Sequence, residues 1–326
     1  MKALVIERPG GPEVLQMKEK DDPLPGSGEV RVRVRAVGVN RADVLQRLGR
    51  YPSPADVPAD IPGLEFAGEI DLLGNGVTGW AKGDRVFGLA GGGTYADYVI
   101  VHHRTVASIP DRLSYVEAAA IPEAFITAYD ALVAQCGLMS GESVLIHAVG
   151  SGVGVAAVQI AKSLSAISFG TARNQDKISG AGRYGLSAGI VATEAAFADK
   201  VMELTAGKGV DVVLELVGGA YVAEDIKCMS SKGRLVLVGL VGGARSDIDL
   251  AMLLRKRLIV RGTTLRARPL EEKISATQLL SRNMLPLFAA GILSPVVDKV
   301  MPLSEAGEAH RYMEANLNFG KIVLEL

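Results

Sequence analysis

The chain has 326 residues, 48% of them hydrophobic and 22% charged, with a formal net charge of −1. That is enough material for two domains with full cores, and the near-neutral balance excludes a general electrostatic attraction to nucleic acid or anionic membrane. The apolar run ALVI at residues 3–6 is too short for a secretory signal, and no stretch approaches 18 uninterrupted apolar residues, so a cytoplasmic protein is expected.

The N-terminal third is a series of short, often alternating segments broken by Gly and Pro. Residues 4–6, 29–37 (EVRVRVRAV), 66–72, 84–88 and 95–101 read as strands of a β-rich domain. Period-two spacing places Arg31, Arg33 and Arg35 on one face of a sheet, and that face is expected to be wet. The run Gly91–Gly92–Gly93 reads as a turn, since no helix follows it.

The texture changes after residue 122. Residues 143–162 (SVLIHAVGSGVGVAAVQIAK) run from a β-branched apolar strand through glycines 150, 152 and 154 into a small-residue helix. Gly152, Gly154 and Ala157 fit the G-x-G-x-x-G/A fingerprint, in which bare backbone lets a pyrophosphate approach a helix N-terminus. Gly150, Ser151 and Val153 complete that turn. A simple strand-to-helix turn would carry the same glycines, so the context decides.

The next strand, 166–172, returns where a βαβ unit requires it. At its end stand Thr171, Ala172, Arg173 and Asn174, then Lys177, with no carboxylate. An acid there would take the adenosine 2′-hydroxyl of NAD, whereas cations offer charge-assisted donors to a 2′-phosphate. The pattern favours NADPH over NADH; the competing reading makes Arg173 and Lys177 solvated charges at a helix start. Segments 211–217, 233–239 and 258–264 are further buried strands, separated by helices near 197–205, 221–229 and 250–256. Cys136 and Cys228, far apart on candidate helices, read as buried reduced thiols. The C-terminal part returns to strand (295–302), helix (304–315) and strand (321–326). The fold class is therefore α/β: a Rossmann doubly wound parallel sheet over residues 123–266, plus a β-rich domain from 1–122 and 267–326.

In that order of domains the chain resembles the medium-chain dehydrogenases/reductases. Five ordered segments, NRADVLQRLGRY (40–51), PGLEFAGEI (62–70), AAAIPEAFITAYDAL (118–132), IHAVGSGVG (146–154) and YMEANLNFGKIVLEL (312–326), resemble the zinc-independent NADPH:quinone oxidoreductases of the zeta-crystallin branch. Among these they look most like the tumour-suppressor-inducible subgroup. The resemblance implies a GroES-like catalytic domain and hydride transfer from NADPH to a quinone or similar conjugated carbonyl. Enoyl-thioester or 2-alkenal reduction is the alternative, and a non-catalytic NADPH-binding module for RNA, using the cations Arg255, Lys256, Arg257, Arg261, Arg266 and Arg268, a remote one.

The resemblance also distributes roles. Zinc alcohol dehydrogenases of this superfamily carry a Cys ligand at the place of Asn40 and a His ligand at the place of Leu64, and neither is present here, so no metal is expected. Asn40 and Tyr51 are implied beside the nicotinamide and acceptor, with Ser151 a further hydroxyl. Thr127 and the backbone of Leu265 are implied at the carboxamide, Gly239, Leu240 and Val241 around the ribose, and Lys321 near the cofactor phosphates. Relatives carry a Tyr helping to hold the adenosine phosphate where this chain reads Val191 to Glu194. A homodimer through the Rossmann edge strand at 258–264 is also implied, which would hide an apolar edge.

Overall fold

Strand Glu29–Val39 is the hub of one of two units in the computed structural model, which describes residues 1–326. Its unit comprises Met1–Ile126 and Leu265–Leu326; the other is Thr127–Thr264. The hub pairs antiparallel with Glu65–Leu73 along one edge, and with Tyr98–His102 and Lys321–Glu325 along the other. Register does the positioning: Ile322 lies opposite Val39 and Phe66 opposite Val37, which brings Lys321 and Glu65 to the end of the hub, where Asn40 begins the helix Arg41–Arg47. Alternating valines 30, 32 and 34 with Phe66, Ile70, Val86, Val99 and Ile322 form the core.

The face expected to be wet is only partly so. Arg33 is exposed, but Arg31 is buried: its Nε and Nη2 donate to Asp71 Oδ2 at 2.9 and 2.5 Å, and its guanidinium lies 4.5 Å from the Tyr98 ring. Pairing and stacking remove the cost of burying that cation. Helix Leu270–Asn283 and strand Leu15–Glu19 are elements that the sequence reading passed over.

The second unit is a six-stranded parallel sheet in the order Ala188–Val191, Ile167–Ala172, Ser143–Ile146, Val210–Glu215, Met229–Leu237, Ile259–Gly262. Strand order reverses between Ser143–Ile146 and Val210–Glu215, and ligands of such sheets bind outside the strand C-termini at that reversal. His147, Ser151, Glu215 and Val217 all lie there. The central strands are unbroken apolar runs, as burial on both faces requires. The last strand, Ile259–Gly262, is exposed at all four residues because it is the sheet edge.

Candidate active site

The turn after Ser143–Ile146 is shaped for an anion. Ala148 takes a positive φ of 48°, Ser151 caps the helix Gly152–Ser163, and its Oγ accepts from Gly154 N at 3.0 Å. Val155 N donates to Ser151 O, so Gly152 and Val153 N–H are the donors left open at the helix start. A Cβ on Gly154 would stand 2.4 Å from Ala148 O and 2.7 Å from Val149 Cα, so the glycine is what lets helix and turn approach. Ser151 thus acts first as a cap, with its hydroxyl proton uncommitted. Half-exposed Ser151, Gly152 and Val153 contrast with buried Gly150, which faces the Lys177 side-chain stem.

At the end of the second strand, Arg173 is exposed and Asn174 caps the helix Gln175–Gly182 by accepting from Lys177 N at 3.0 Å. Thr171 does not belong with them. It is 1% exposed and its Oγ1 lies 2.8 Å from His147 Nδ1, so its side chain supports the sheet end and is unavailable to a cofactor. Thr127, on helix Pro122–Tyr129, has a buried hydroxyl with no hydrogen-bond partner. Gly239, Leu240 and Val241 form a loop stitched to the neighbouring turn by Gly239 N to Glu215 O and Gly242 N to Val217 O; Leu240 and Val241 project apolar side chains into solvent.

Beneath these loops lies a buried network that sequence reasoning missed. His147 Nε2 is 2.8 Å from Asp225 Oδ1 and 3.7 Å from Glu215 Oε2, while Glu215 Oε1 accepts from Val217 and Gly218 N–H. Burial lowers the His147 pKa, keeping the imidazole neutral, and pushes both carboxyls up to about 8. Glu215 Oε2 and Asp225 Oδ2 have no hydrogen-bond partner, and burial favours the protonated form of both carboxyls. The folded pKa values lie above the unfolded ones. The stability this pair contributes is therefore complete below about pH 4 and is lost as pH rises through about 8. Urea denaturation at pH 6 and pH 9 should show lower stability at pH 9, and Asp225→Asn should flatten the difference; an unchanged slope would refute the raised carboxyl pKa.

The first unit holds a second polar cluster. Lys321 Nζ lies 2.5 Å from Glu65 Oε1, 2.6 Å from Asn40 Oδ1 and 3.0 Å from Val39 O. Asn40 Nδ2 donates to Glu65 Oε1 and Gly38 O, and Glu65 Oε2 accepts from Glu123 N. Two implied roles change. All three Lys321 protons are spent, so the lysine anchors Asn40 and has no donor left for phosphates. Asn40 has both amide protons spent as well, and retains only an acceptor lone pair on Oδ1. Asp43 accepts from Asn40 N, Gly63 N and the Tyr95 hydroxyl; burial pushes it up to about 6.

Tyr51 is half-buried, its ring 5.1 Å from the Arg266 guanidinium, and burial raises its phenol pKa. Arg266 is itself a buried tie, donating to Gly91 O, Tyr51 O, Gln46 Oε1 and Ser53 Oγ. Leu265 is buried, and its carbonyl accepts from Arg268 N. The basic cluster read from sequence therefore does not form one patch. Lys256 caps the carbonyls of Ile226, Lys227 and Met229, and Arg261 donates to Gln135 O. Both cysteines are free and buried, with Cys136 pushed up to about 11 by burial.

Two family models match the chain, the second across parts of both units. Residues 26–111 match the alcohol dehydrogenase GroES-like domain family, and 185–324 the zinc-binding dehydrogenase family. A quinone oxidoreductase of Lama guanicoe is 32% identical over 100% of this chain and 98% of its own length, and one of Pseudomonas aeruginosa is 32% identical over 97% and 96%. Among solved structures, a mycobacterial protein complexed with NADPH is similar over all of both chains at a TM-score of 0.89 and 27% identity. The JamJ enoyl reductase is similar over 99% of each chain at 0.88 and 28%. A helix long and apolar enough to cross a membrane is absent. This chain belongs to the medium-chain dehydrogenase/reductase family, in its quinone oxidoreductase branch.

Proposed function

We propose that the protein transfers hydride from NADPH to a quinone or similar conjugated carbonyl acceptor, with no catalytic metal. The observation that carries this reading is the cluster around Asn40. Where zinc-dependent relatives supply Cys and His ligands, this chain has an amide held by the Lys321 ammonium, and Leu64, although the family matched at 185–324 is described as zinc-binding. An amide whose oxygen already accepts from an ammonium, and an apolar side chain, do not replace the Cys and His that zinc takes in those relatives. An acceptor that needs no Lewis acid to ionise an alcohol suits such a site.

The bound nicotinamide supplies the hydride. Gly152 and Val153 N–H hold the pyrophosphate with Gly150, Ser151 and Gly154 shaping the turn, Thr127 donates to the carboxamide, and the Gly239–Leu240–Val241 loop borders the ribose with Leu265 backbone nearby. Tyr51 stacks on the flat acceptor and orients its carbonyl, so positioning supplies most of the acceleration. Arg173 takes the adenosine 2′-phosphate, with Asn174 and Lys177 at its side. Arg173→Ala should weaken NADPH binding about 10- to 100-fold and leave NADH binding nearly unchanged, as measured by cofactor fluorescence titration. Equal loss for both cofactors would rule that assignment out.

A homodimer through Ile259–Gly262 is part of the same proposal. Ile259 and Val260, on that edge strand, are 44% and 43% exposed, apolar surface that a second copy would cover. A cytoplasmic setting suits two free thiols. The likeness to an enoyl reductase supports one second reading, reduction of enoyl thioesters or 2-alkenals. Steady-state rates on ortho- and para-quinones against 2-alkenals and crotonyl thioesters separate the two: quinone activity tenfold below enoyl activity overturns the first.

A further inference from the structure

We infer that Glu215 is a positioning residue for the cofactor: its carboxyl builds the second wall of the crevice that takes the dinucleotide. The inference rests on the cofactor reading above and adds the group that sets the nicotinamide half in place. Strand order locates the crevice. It reverses between Ser143–Ile146 and Val210–Glu215, so the chain leaving each of these two strands forms one wall of the space open to a ligand. The first wall is the glycine turn at 148–154, held by its own backbone and by the Ser151 hydroxyl.

The second wall, the turn at 216–219, is built differently. Gly218 and Gly219 take positive φ values of 76° and 61°, and glycine loses more conformational freedom on ordering than any other residue. Such a turn needs an outside tie. Val217 N and Gly218 N both donate to Glu215 Oε1, the second at 2.8 Å, so one side chain folded back on the residues after it closes the turn. Glu215 is 0% exposed, and its Oε2 lies 3.7 Å from His147 Nε2 at the foot of the first wall. The carboxyl is therefore aimed by packed protein and has no solvent-facing alternative.

The turn in turn carries the loop at 239–243. Gly239 N donates to Glu215 O, Gly242 N donates to Val217 O at 2.7 Å, and Gly218 and Gly243 form a bridge. Turn and loop meet backbone to backbone: a Cβ on Gly219 would stand 2.5 Å from Gly242 O, and one on Gly218 2.8 Å from Gly243 O. A shift of the turn is therefore passed to Gly239, Leu240 and Val241, the loop proposed to border the ribose. Arg173 and Asn174, proposed for the adenosine 2′-phosphate, follow a different strand, Ile167–Ala172. Glu215 thus acts on one half of the dinucleotide and spares the other.

The test compares NADPH with 2′,5′-ADP, a fragment that keeps the adenosine 2′-phosphate and lacks the nicotinamide half, by calorimetric titration of the full chain. Glu215→Met, which fills the space without an acceptor, should weaken NADPH about 10- to 100-fold and 2′,5′-ADP by less than about twofold. Glu215→Gln keeps an amide oxygen for Val217 and Gly218, and should bind NADPH within about threefold of wild type. Residue-resolved hydrogen exchange should find the Val217 and Gly218 amides protected in the wild type and in Glu215→Gln, a readout that needs no ligand. Equal weakening of both ligands by Glu215→Met, an equal NADPH loss in Glu215→Gln, or unprotected amides in the wild type would overturn the inference. Should Glu215→Met not fold, Gly242→Ala takes its place: the new methyl meets Val217 Cγ1 at 2.9 Å and Val217 O at 3.2 Å, which pushes the loop off the turn, and the same split between the two ligands is expected. Its absence there overturns the inference as well. A wild type that binds NADH and not NADPH overturns the 2′-phosphate reading alone, and the comparison is then made with NADH and ADP.

Discussion

Replacing Lys321 with methionine should cost about 3–5 kcal/mol of folding stability, because it leaves the Glu65 carboxylate buried without its counter-charge. Glu65 is fully buried and Lys321 5% exposed, and the two meet at 2.5 Å with Asn40 bridging them. The cost comes from desolvating an unpaired charge rather than from losing one contact. Glu65→Gln added to Lys321→Met should therefore recover most of the loss, since a neutral amide can still accept from Glu123 N. Chemical denaturation of the two single variants and the double variant measures this directly. Additive losses would mean that the pair does not act as a unit.

How much of this was legible in the sequence depended on range. The parallel strands, the glycine turn and the domain order show in local apolar runs and spacing, and the resemblance of five segments supplied the family and the implied site residues. Lys321 and Asn40 are 281 positions apart, and His147 and Asp225 are 78 apart. No local pattern reports such a pairing; only the register of Lys321–Glu325 on Glu29–Val39, and the convergence of parallel strand ends, bring them together. The same limit explains Arg31 and Thr171, whose types suggest solvent and ligand while their neighbours Asp71 and His147 claim them.

The second large effect concerns the turn itself. In Gly154→Ala the new methyl meets Ala148 O at 2.4 Å and Val149 Cα at 2.7 Å, both main chain, so no side-chain rotation relieves the contact. The helix must move off the turn, at a cost of about 1–3 kcal/mol. Gly152 and Val153 N–H move with it, and NADPH affinity should fall about 10- to 100-fold. Gly182→Ala is the control: nothing lies within 4 Å of a Cβ there, and the substitution should be neutral or stabilise by about 0.4–1 kcal/mol. Calorimetry and NADPH titration on both variants distinguish a crowded turn from a general intolerance of larger residues. Equal behaviour of the two would contradict the close-approach account.

The Lys321–Asn40–Glu65 cluster belongs to one unit and the glycine turn to the other, and the hydride transfer proposed above requires no metal. The most direct measurement is NADPH oxidation with 1,4-naphthoquinone by protein that has been stripped with a chelator and shown by elemental analysis to be metal-free. Full turnover, unchanged when zinc is added back, is the expected result. Loss of turnover on stripping, restored by zinc, would contradict it.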